Sequence, residues 1–401
     1  MTHIVTDEKK IDELLDRGII SSILPSKEEF KKVLMSGKRL KIYIGFDATA
    51  DTLHLSHAKN LLLLEDFRRL GHEAILLFGD FTARIGDPSD KVGTRSILTE
   101  AQVLANIKSW KRQIKNLLNF SWFGNGTKVK QNSTWLSKLN FADVLSLASK
   151  VTVQQMIERD MFQKRIKDGK HIFLHEFMYP LMQGYDSVAM DVDVELCGTD
   201  QTFNALMGRT LLRKIKNKEK FVITVNLMEN PKTGELMSKS RGTGVFLNTG
   251  PSEMFGAVMA QPDEMIDILL INCTRISKED IQGILALGPL EAKKKTAAAI
   301  VGVVFGDNKA ETAEENFTQA FQKKEIPDEL EQITVEAGEK LIDVIVRASV
   351  VESRGDFRRL VEAGAVTDLE TQEKITDVNT VVSSQKLKIG KRRFIQIQIK
   401  S

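Results

Sequence analysis

The sequence predicts an α/β protein with a doubly wound parallel sheet, followed by an α-helical domain and a small α+β domain. The order strand, helix, strand occurs at residues 39–81 and again at 191–228. Each such unit implies parallel strands that are covered by helices. Two units of this kind indicate a doubly wound sheet, which binds ligands at the carboxyl ends of its strands, where the strand order reverses.

The first unit begins with the apolar run RLKIYIGF, which predicts a buried strand. HLSHAKNLLLLEDFRRLG follows with apolar and charged residues at helical spacing and stops at Gly71, and EAILLFGDF is the second strand. The second unit repeats this order with DVDVELCG, TDQTFNALMGRTLLRKIK and FVITVNLM. Between the two units we expect a helical insertion at about 98–190.

The predicted domains follow from shifts in pattern along the chain. The sheet domain spans 1–245, a helical region spans 246–325, and a linker around Pro327 spans 326–339. A small basic domain is expected at 340–401. It ends in KLKIGKRRFIQIQIK, where isoleucines alternate with polar residues as in a half-buried strand.

Composition limits the class of protein. With 401 residues and 42% hydrophobic content, the chain can bury a sizeable core in two or three domains. Its two cysteines make no disulfide framework and fit a reducing cytoplasm. We expect neither a signal peptide nor a membrane span, because the sequence contains no apolar run of the necessary kind. The net charge of +3 argues neither for nor against nucleic acid.

Two histidines, His54 and His57, lie at the predicted start of the first helix. A helix N-terminus offers free N–H groups and a partial positive charge, which attract phosphate. The histidines could add hydrogen bonds to a triphosphate whose leaving side gains charge. Capping and packing by the two rings, or metal ligation, are the alternatives.

A polar, glycine-containing loop, LMSKSRG, follows the last predicted strand of the sheet. Its lysine, Lys239, could close over a pyrophosphate in a transition state. The alternative is a solvated surface loop.

Tyr179, Gln183 and Asp186 share one face of a predicted helix, because their spacings are four and three. A hydroxyl, an amide and a carboxylate on one face could line a pocket for a small, polar, aromatic ligand. A partly exposed helix face, with Pro180 kinking or beginning the helix, is the alternative.

These motifs together resemble those of a known family. HLSH is similar to the HIGH signature of class I aminoacyl-tRNA synthetases, and LMSKS is similar to their KMSKS signature, in the same order and at a fitting separation. YIGFDATADTLHLSH, GDFTARIGDPSDK, YPLMQGYDSVAM and VELCGTDQTFN resemble segments of the bacterial tyrosyl-tRNA synthetases. RGDFRRLVEAGAV and LKIGKRRF resemble the S4-like RNA-binding domain of that family.

The resemblance implies an activity and a set of site residues. The fold would be a Rossmann-like class I synthetase core with a helical anticodon-binding region, and the enzyme would bind ATP with Mg²⁺, L-tyrosine and tRNA(Tyr) as a homodimer, with no resident metal. The catalytic residues would be His54, His57, Lys239, Lys91 and Arg95. The tyrosine-binding residues would be Tyr43, Asp87, Tyr179, Gln183, Asp186 and Gln201. The ATP-binding residues would be Gly45, Asp47, Thr49, His54, His57, Gly198, Asp200, Met237, Ser238, Lys239 and Ser240. The RNA-binding residues would be Lys386, Lys388, Lys391, Arg392 and Arg393.

Two signature positions depart from the family pattern. Ser56 stands where the family usually has glycine, and its side chain would crowd adenine. Leu236 replaces the first lysine of KMSKS. Two other functions therefore compete with tyrosine activation: a paralogue that activates another amino acid or serves another acceptor, and an inactive RNA-binding protein. The intact tyrosine-pocket residues favour the active, tyrosine-specific enzyme.

Overall fold

The computed structural model describes residues 3–87, 98–236, 244–322, 331–336, 338–348, 350–351, 353–369, 371, 373–390 and 393–400. The chain divides into two compact units, Met1–Phe317 and Thr318–Ser401. Among the described helices, none is both long and apolar enough to cross a membrane.

The first unit contains a sheet and a series of helices. Its strands are β1 (Ile20–Leu24), β2 (Lys41–Phe46), β3 (Glu73–Phe78), β4 (Lys128–Gln131), β5 (Val194–Gly198) and β6 (Phe221–Val225). Its helices up to β6 are α1 (Glu8–Leu15), α2 (Lys27–Met35), α3 (Leu55–Arg69), α4 (Glu100–Gln113), α5 (Ser133–Leu136), α6 (Phe141–Ala148), α7 (Val153–Ile157), α8 (Asp160–Lys167), α9 (Leu174–Met190) and α10 (Thr202–Lys216). The helices after β6 are α11 (Pro251–Met259), α12 (Ile266–Cys273), α13 (Lys278–Leu285), α14 (Pro289–Phe305) and α15 (Asp307–Gln322), which continues past the boundary. Short 3₁₀ helices are Thr82–Arg84, Thr199–Gln201 and Asp263–Met265.

The order of strands in the first sheet is β1-β6-β5-β2-β3-β4. Strand β2 pairs in parallel with both β3 and β5. The chain adds β3 and then β4 on one side of β2, and later adds β5 and then β6 on the other side. The strand order therefore reverses between β2 and β5, and the predicted doubly wound arrangement is confirmed.

Two edge strands correct the sequence prediction. Strand β1 pairs antiparallel with β6, so the sheet is mixed and not wholly parallel. Strand β4 pairs with β3 and lies inside the stretch 98–190 that was predicted to be helical. Both are edge strands with partly exposed sequences, ISSIL and KVKQ, and therefore lack the apolar run that marks a central strand.

Helix α3 covers the sheet and ends where the sequence predicts. Leu61, Leu62, Leu63 and Leu64 are all buried, since this helix lies between the sheet and the later helices. Gly71 has φ +98°, and a Cβ there would lie 2.3 Å from a backbone carbonyl oxygen, so this turn requires glycine. The opposite end of the helix, at its N-terminus, carries the two signature histidines.

The second unit is an α+β structure. Its elements are β7 (Glu331–Val335), α16 (Leu341–Arg347), α17 (Arg354–Glu362), β8 (Val366–Asp368), β9 (Gln385–Ile389) and β10 (Arg393–Ile399). The strand order is β7-β10-β9-β8, with β7 parallel to β10 and the other pairs antiparallel. The predicted alternation in β10 is confirmed, because Ile395 and Ile397 are buried.

The structure also corrects the predicted linker, 326–339. Residues 331–335 of that range form β7, which pairs along its whole length with β10. Pro327 and the acidic residues near it are typical of a loop, and the predicted linker was extended from them over residues that form a strand. The sheet of the second unit therefore begins before the predicted boundary at residue 340.

Candidate active site

A cavity of about 390 Å³ opens at the carboxyl ends of β2 and β5, where the strand order reverses. The first turn of α3, one face of α9 and the segment after β6 complete its walls. Residues from distant parts of the sequence meet there, and the predicted ones are Tyr43, Gly45, Asp47, Thr49, His54, His57, Asp87, Tyr179, Gln183, Asp186, Gly198, Asp200 and Gln201.

The structure does not test every predicted site residue. Several lie outside the described residues: Lys91, Arg95, Met237, Ser238, Lys239, Ser240, Lys391 and Arg392. Lys386, Lys388 and Arg393 lie in the second unit, on β9 and β10.

The two histidines lie side by side at the start of α3. His54 has extended backbone and precedes the first residue of the helix, and its backbone N–H points at Nδ1 of His57 at 3.4 Å. The ring centroids of the pair are 4.1 Å apart, and His57 also packs against Trp110. The Nδ1 atom of His54 is buried and has no hydrogen-bond partner among the described residues, so it is available to a ligand.

Both histidines are held neutral by burial. Loss of hydration lowers the pKa of His54 to about 4 and the pKa of His57 to about 3. The electrostatic interaction with His54 lowers the pKa of His57 further. A neutral imidazole keeps one N–H donor and one acceptor, so each ring can still donate to a phosphate oxygen at neutral pH.

These shifts predict how stability depends on pH. The folded pKa values lie below the ordinary value of 6.5, so between pH 6.5 and about 3 the unfolded chain binds more protons. The free energy of unfolding should therefore fall as the pH decreases through that window. Denaturant unfolding at a series of pH values measures the slope, and His57→Gln should make it shallower. An identical slope in the variant would contradict the assignment.

One wall of the cavity contains a carboxylate that already has protein partners. Trp135 Nε1 donates to Asp186 Oδ1 at 2.7 Å, and Asn132 Nδ2 donates to Oδ2 at 3.3 Å. Asp186 is 3% exposed, and burial raises its pKa well above the ordinary range while these two donors act in the opposite direction. The protein thus supplies one donor to each oxygen of this buried carboxylate.

Tyr43 approaches from the middle of β2. Its hydroxyl lies 3.0 Å from Ser187 Oγ, and its ring is buried at 1% exposure. The side chain lines the cavity, as predicted, but its hydroxyl is already tied to α9 through Ser187.

Two other polar side chains of α9, those of Tyr179 and Gln183, also face the cavity. Tyr179 Oη donates to Asp47 Oδ2 at 2.9 Å, and Thr82 Oγ1 donates to the other oxygen of Asp47 at 2.6 Å. Gln183 Nε2 donates to Glu195 Oε1 at 3.3 Å. The predicted face of the helix is confirmed, since Tyr179, Gln183 and Asp186 all line one cavity.

Asp87 anchors another wall. Gln201 Nε2 donates to its Oδ2 at 2.9 Å, Asn204 Nδ2 approaches the same oxygen at 3.4 Å, and Arg159 Nη2 lies 3.4 Å from Oδ1. This carboxylate thereby joins the loop after β3 to the start of α10. Two predicted residues, Asp87 and Gln201, are thus brought into direct contact.

The end of β5 packs closely against the turn that follows it. A Cβ on Gly198 would lie 2.3 Å from Asp200 Oδ1, so any other residue would displace that carboxylate. Asp200 and Gly198 both face the cavity beside the segment that follows β6.

Sequence reasoning missed several residues of the site. Lys59, two residues after His57, is 2% exposed and its Nζ donates to the carbonyl oxygen of Asn226. Burial lowers the pKa of Lys59 to about 8. A lysine within an apolar helical run was the available signal for it. Trp135, Asn132 and Arg159, which contact Asp186 and Asp87, come from segments without any motif.

No group of three or more His, Cys, Asp or Glu side chains among the described residues is arranged to hold a metal ion. The carboxylates of the cavity instead accept hydrogen bonds from amide, indole, hydroxyl and guanidinium groups.

Comparisons with known proteins identify the family. The family described as tRNA synthetases class I (W and Y) matches residues 35–322. The tyrosine–tRNA ligase of Carboxydothermus hydrogenoformans is 41% identical over 98% of both chains, and that of Thermotoga maritima is 37% identical over 98% of both chains. The solved structure of a C-terminally truncated mitochondrial tyrosyl-tRNA synthetase from Aspergillus nidulans shares the fold, with a TM-score of 0.67 and 22% identity over 78% of this chain and 94% of that one. The chain therefore belongs to the class I aminoacyl-tRNA synthetases, in the family of the tyrosine–tRNA ligases.

Proposed function

We propose that the protein activates L-tyrosine with ATP and transfers it to the 3′ end of tRNA(Tyr). One observation carries the proposal: a single cavity joins the polar face of α9, the histidines of α3 and the turn after β5. A phenol, an amino group and a nucleotide can therefore bind side by side. The tyrosine carboxylate would attack the α-phosphate of ATP in line, pyrophosphate would leave, and the terminal ribose hydroxyl of the tRNA would then attack the adenylate. Positioning and charge stabilisation carry such a reaction without a side-chain nucleophile.

The tyrosine substrate would lie along α9. Its hydroxyl would meet Asp186 and Tyr43, and its ammonium would meet Tyr179 and Gln183, with Asp87 nearby. Gln201 would lie toward the reacting carboxylate. The hydroxyl of Tyr179 supports this orientation, because its proton is directed to Asp47 and its oxygen remains able to accept.

ATP would occupy the other half of the cavity. His54 and His57 would donate to the phosphates, and Asp47, Thr49 and Gly45 would form the adjoining loop. Gly198 and Asp200 would contact the ribose. We propose the same pyrophosphate side for Lys91, Arg95 and the segment from Met237 to Ser240, and we treat Mg²⁺ as part of the nucleotide substrate.

Tyrosine-dependent exchange between ATP and pyrophosphate tests this function. We expect exchange with tyrosine in preference to a panel of other amino acids, followed by charging of tRNA(Tyr). Preference for another amino acid would favour a paralogue, and the absence of any exchange would favour an inactive RNA-binding protein. Ser56 and Leu236 both line the cavity, so Ser56→Gly shows directly whether the departure from the family signature reduces the affinity for ATP.

We further propose that the second unit is an S4-like domain that binds RNA. Lys386 and Lys388 alternate along β9 with the buried residues Gln385, Leu387 and Ile389, so both lysines lie on the same, outer face of the strand. Arg393 begins the adjacent strand and is exposed. Lys391 and Arg392 belong to the same proposal. Phosphate contacts by such groups make binding dependent on salt.

Replacing Lys386, Lys388 and Arg393 together with alanine should weaken tRNA binding and reduce its dependence on salt concentration, because fewer counterions are released. Pyrophosphate exchange should stay at the parental rate. Filter binding at several salt concentrations measures the effect. Alanine at Arg209, a partly exposed arginine of α10 that pairs with Glu219, is the control. An unchanged salt slope in the triple variant would exclude this surface.

A homodimer through the region 98–190 is also proposed. Large apolar side chains in this region are more than half exposed. They are those of Trp122, Phe123, Phe141, Leu145, Val153, Phe173 and Leu174. Phe141 and Leu145 lie four residues apart on one face of α6, which is typical of a helix that packs against a partner. The double variant Phe141→Lys and Leu145→Lys should shift the mass measured by light scattering toward the monomer. If the double variant has the same mass as the parental dimer, the interface lies elsewhere.

A cytoplasmic location completes the proposal. Cys197 and Cys273 are both buried and free, and burial raises the pKa of each thiol above its ordinary value. Free thiols are typical of a reducing compartment.

A further inference from the structure

A fully buried ion pair lies beneath the tyrosine end of the cavity. Lys220, which precedes β6, pairs with Glu195 of β5, and their side chains are 0% and 3% exposed. Lys220 Nζ also donates to Ser187 Oγ at 2.8 Å. Burying two charges is costly, and apolar residues of similar volume often stabilise a fold equally well. The pair therefore invites a functional explanation.

The backbone nearby is adapted to this ammonium group. A Cβ on Gly208 would lie 2.6 Å from Lys220 Nζ and 2.8 Å from Ser187 Oγ. Helix α10 thus provides space for the ammonium through a residue without a side chain. Glu195 and Lys220 also adjoin Tyr43, whose ring centroid lies 5.9 Å from the ammonium nitrogen.

The two oxygens of Glu195 face different partners. Oε2 is directed to Lys220 and lies 3.4 Å from Ser187 Oγ, whereas Oε1 accepts from Gln183 Nε2 at 3.3 Å. An ionised carboxylate can only accept hydrogen bonds, so the amide of Gln183 must present its nitrogen to Glu195. The amide oxygen of Gln183 then points away from Glu195.

That amide oxygen lacks a donor. Gln183 Oε1 is buried and has no hydrogen-bond partner among the described residues, although Gln183 lines the cavity. A buried acceptor without a donor raises the free energy of the unliganded protein, and a ligand that donates there recovers it. An ammonium group offers three donors and no acceptor, so it fits this oxygen and not the nitrogen.

We propose that Glu195, held and neutralised by Lys220, is a positioning residue that fixes the orientation of the Gln183 amide so that its oxygen accepts the ammonium of the amino-acid substrate. The inference rests on the proposed function, and it explains how the tyrosine pocket recognises the amino group of its substrate. Through Ser187, the same pair also holds the hydroxyl of Tyr43. One buried charge pair thereby organises both ends of the tyrosine pocket.

Binding of two tyrosine analogues tests this role by calorimetry without requiring turnover. Tyramine keeps the phenol and the ammonium, whereas 3-(4-hydroxyphenyl)propionate keeps the phenol and lacks the ammonium. In Glu195→Gln, an amide can donate to Gln183 Oε1 and compete with the ligand. We expect the Kd of tyramine to rise by about tenfold or more, as for loss of a hydrogen bond to a charged group, and that of the propionate to change by less than about twofold.

A double-mutant cycle separates positioning from general damage. In a Gln183→Ala background, Glu195→Gln should have no further effect on tyramine binding. Glu176→Gln is the matched control, because Glu176 lies on the same helix as Gln183 and forms a largely buried pair with Arg165, at 12% and 13% exposure. This control should leave the ratio of the two Kd values unchanged.

The outcomes distinguish the inference from the function on which it rests. Equal weakening of both analogues in Glu195→Gln, or no weakening of either, would overturn the positioning role. If Glu195→Gln does not fold, the double variant Lys220→Met and Glu195→Leu replaces the pair with apolar side chains and should show the same selective loss of tyramine. A parental enzyme without tyrosine-dependent exchange would instead refute the proposed function.

Discussion

Replacing Asp186 with alanine is expected to lower kcat/KM for tyrosine by about fivefold to about 10²-fold, since a buried hydroxyl left without a hydrogen-bond partner costs about 1–3 kcal/mol. Phenylalanine should be affected much less, because it has no hydroxyl to lose. The ratio of kcat/KM for tyrosine over phenylalanine in pyrophosphate exchange should therefore fall. A site that hydrogen-bonds a buried hydroxyl rejects the analogue without it, and tyrosyl-tRNA synthetases are themselves the standard illustration of this rule.

The structure suggests graded variants of the same experiment. Trp135→Phe keeps an aromatic ring but removes the donor that holds Asp186 at 2.7 Å, so it should reduce the ratio less than Asp186→Ala. Tyr43→Phe should also act mildly, because Asp186 remains as a partner for the tyrosine hydroxyl. Asp193→Asn changes a carboxylate that accepts from the backbone of β2 outside the cavity, and it should leave the ratio intact. An unchanged ratio in Asp186→Ala would mean that the pocket recognises something other than a phenol.

The second large effect is expected on the pyrophosphate side. Alanine at His54 or at Lys239 should slow tyrosyl-adenylate formation by about 10²-fold or more, the usual consequence of removing one donor to a developing charge. Tyrosine affinity should hardly change, since both residues act on the transition state. Stopped-flow measurement of adenylate formation separates the two quantities.

Matched substitutions control for the loss of a basic side chain. Lys232 lies in the same connection as Lys239 but is 72% exposed and pairs with Glu264, so Lys232→Ala should form adenylate at the parental rate. His175 is exposed at the start of α9 and serves the same purpose for His54. Parental rates in Lys239→Ala would show that the signature loop is misassigned.

The sequence predicted the central part of the fold because burial leaves a signal in composition. Strands β2, β3, β5 and β6 are covered on both faces and appear as apolar runs. Edge strands such as β1 and β4 are half exposed and mix polar with apolar residues, so they lack that signal. Strand β7 was obscured for a different reason, because its alternation is only five residues long and follows an acidic, proline-containing segment.

The site was predictable where a motif carried it. His54 and Gly198 lie in segments whose order and spacing are distinctive, and the structure places both at the cavity. Arg159 and Trp135 could not be found in this way, because each acts through a carboxylate more than fifty positions away in the sequence. The role of Lys220 likewise cannot be predicted from the sequence, because its pairing with Glu195 depends on β5 and β6 being neighbours in the sheet.

The pairing of β1 with β6 has a consequence for how the active site is assembled during synthesis. Ser22 of β1 and Thr224 of β6 are 202 positions apart, so β1 must wait for most of the first unit before it can pair. Contacts of such long range slow folding, because the intervening chain must first be ordered. Lys220 and Asn226 flank β6, so the base of the tyrosine pocket and the contact to Lys59 form only with this strand. We therefore expect a nascent chain that ends before residue 220 to lack a tyrosine pocket even where α3 and α9 have already formed.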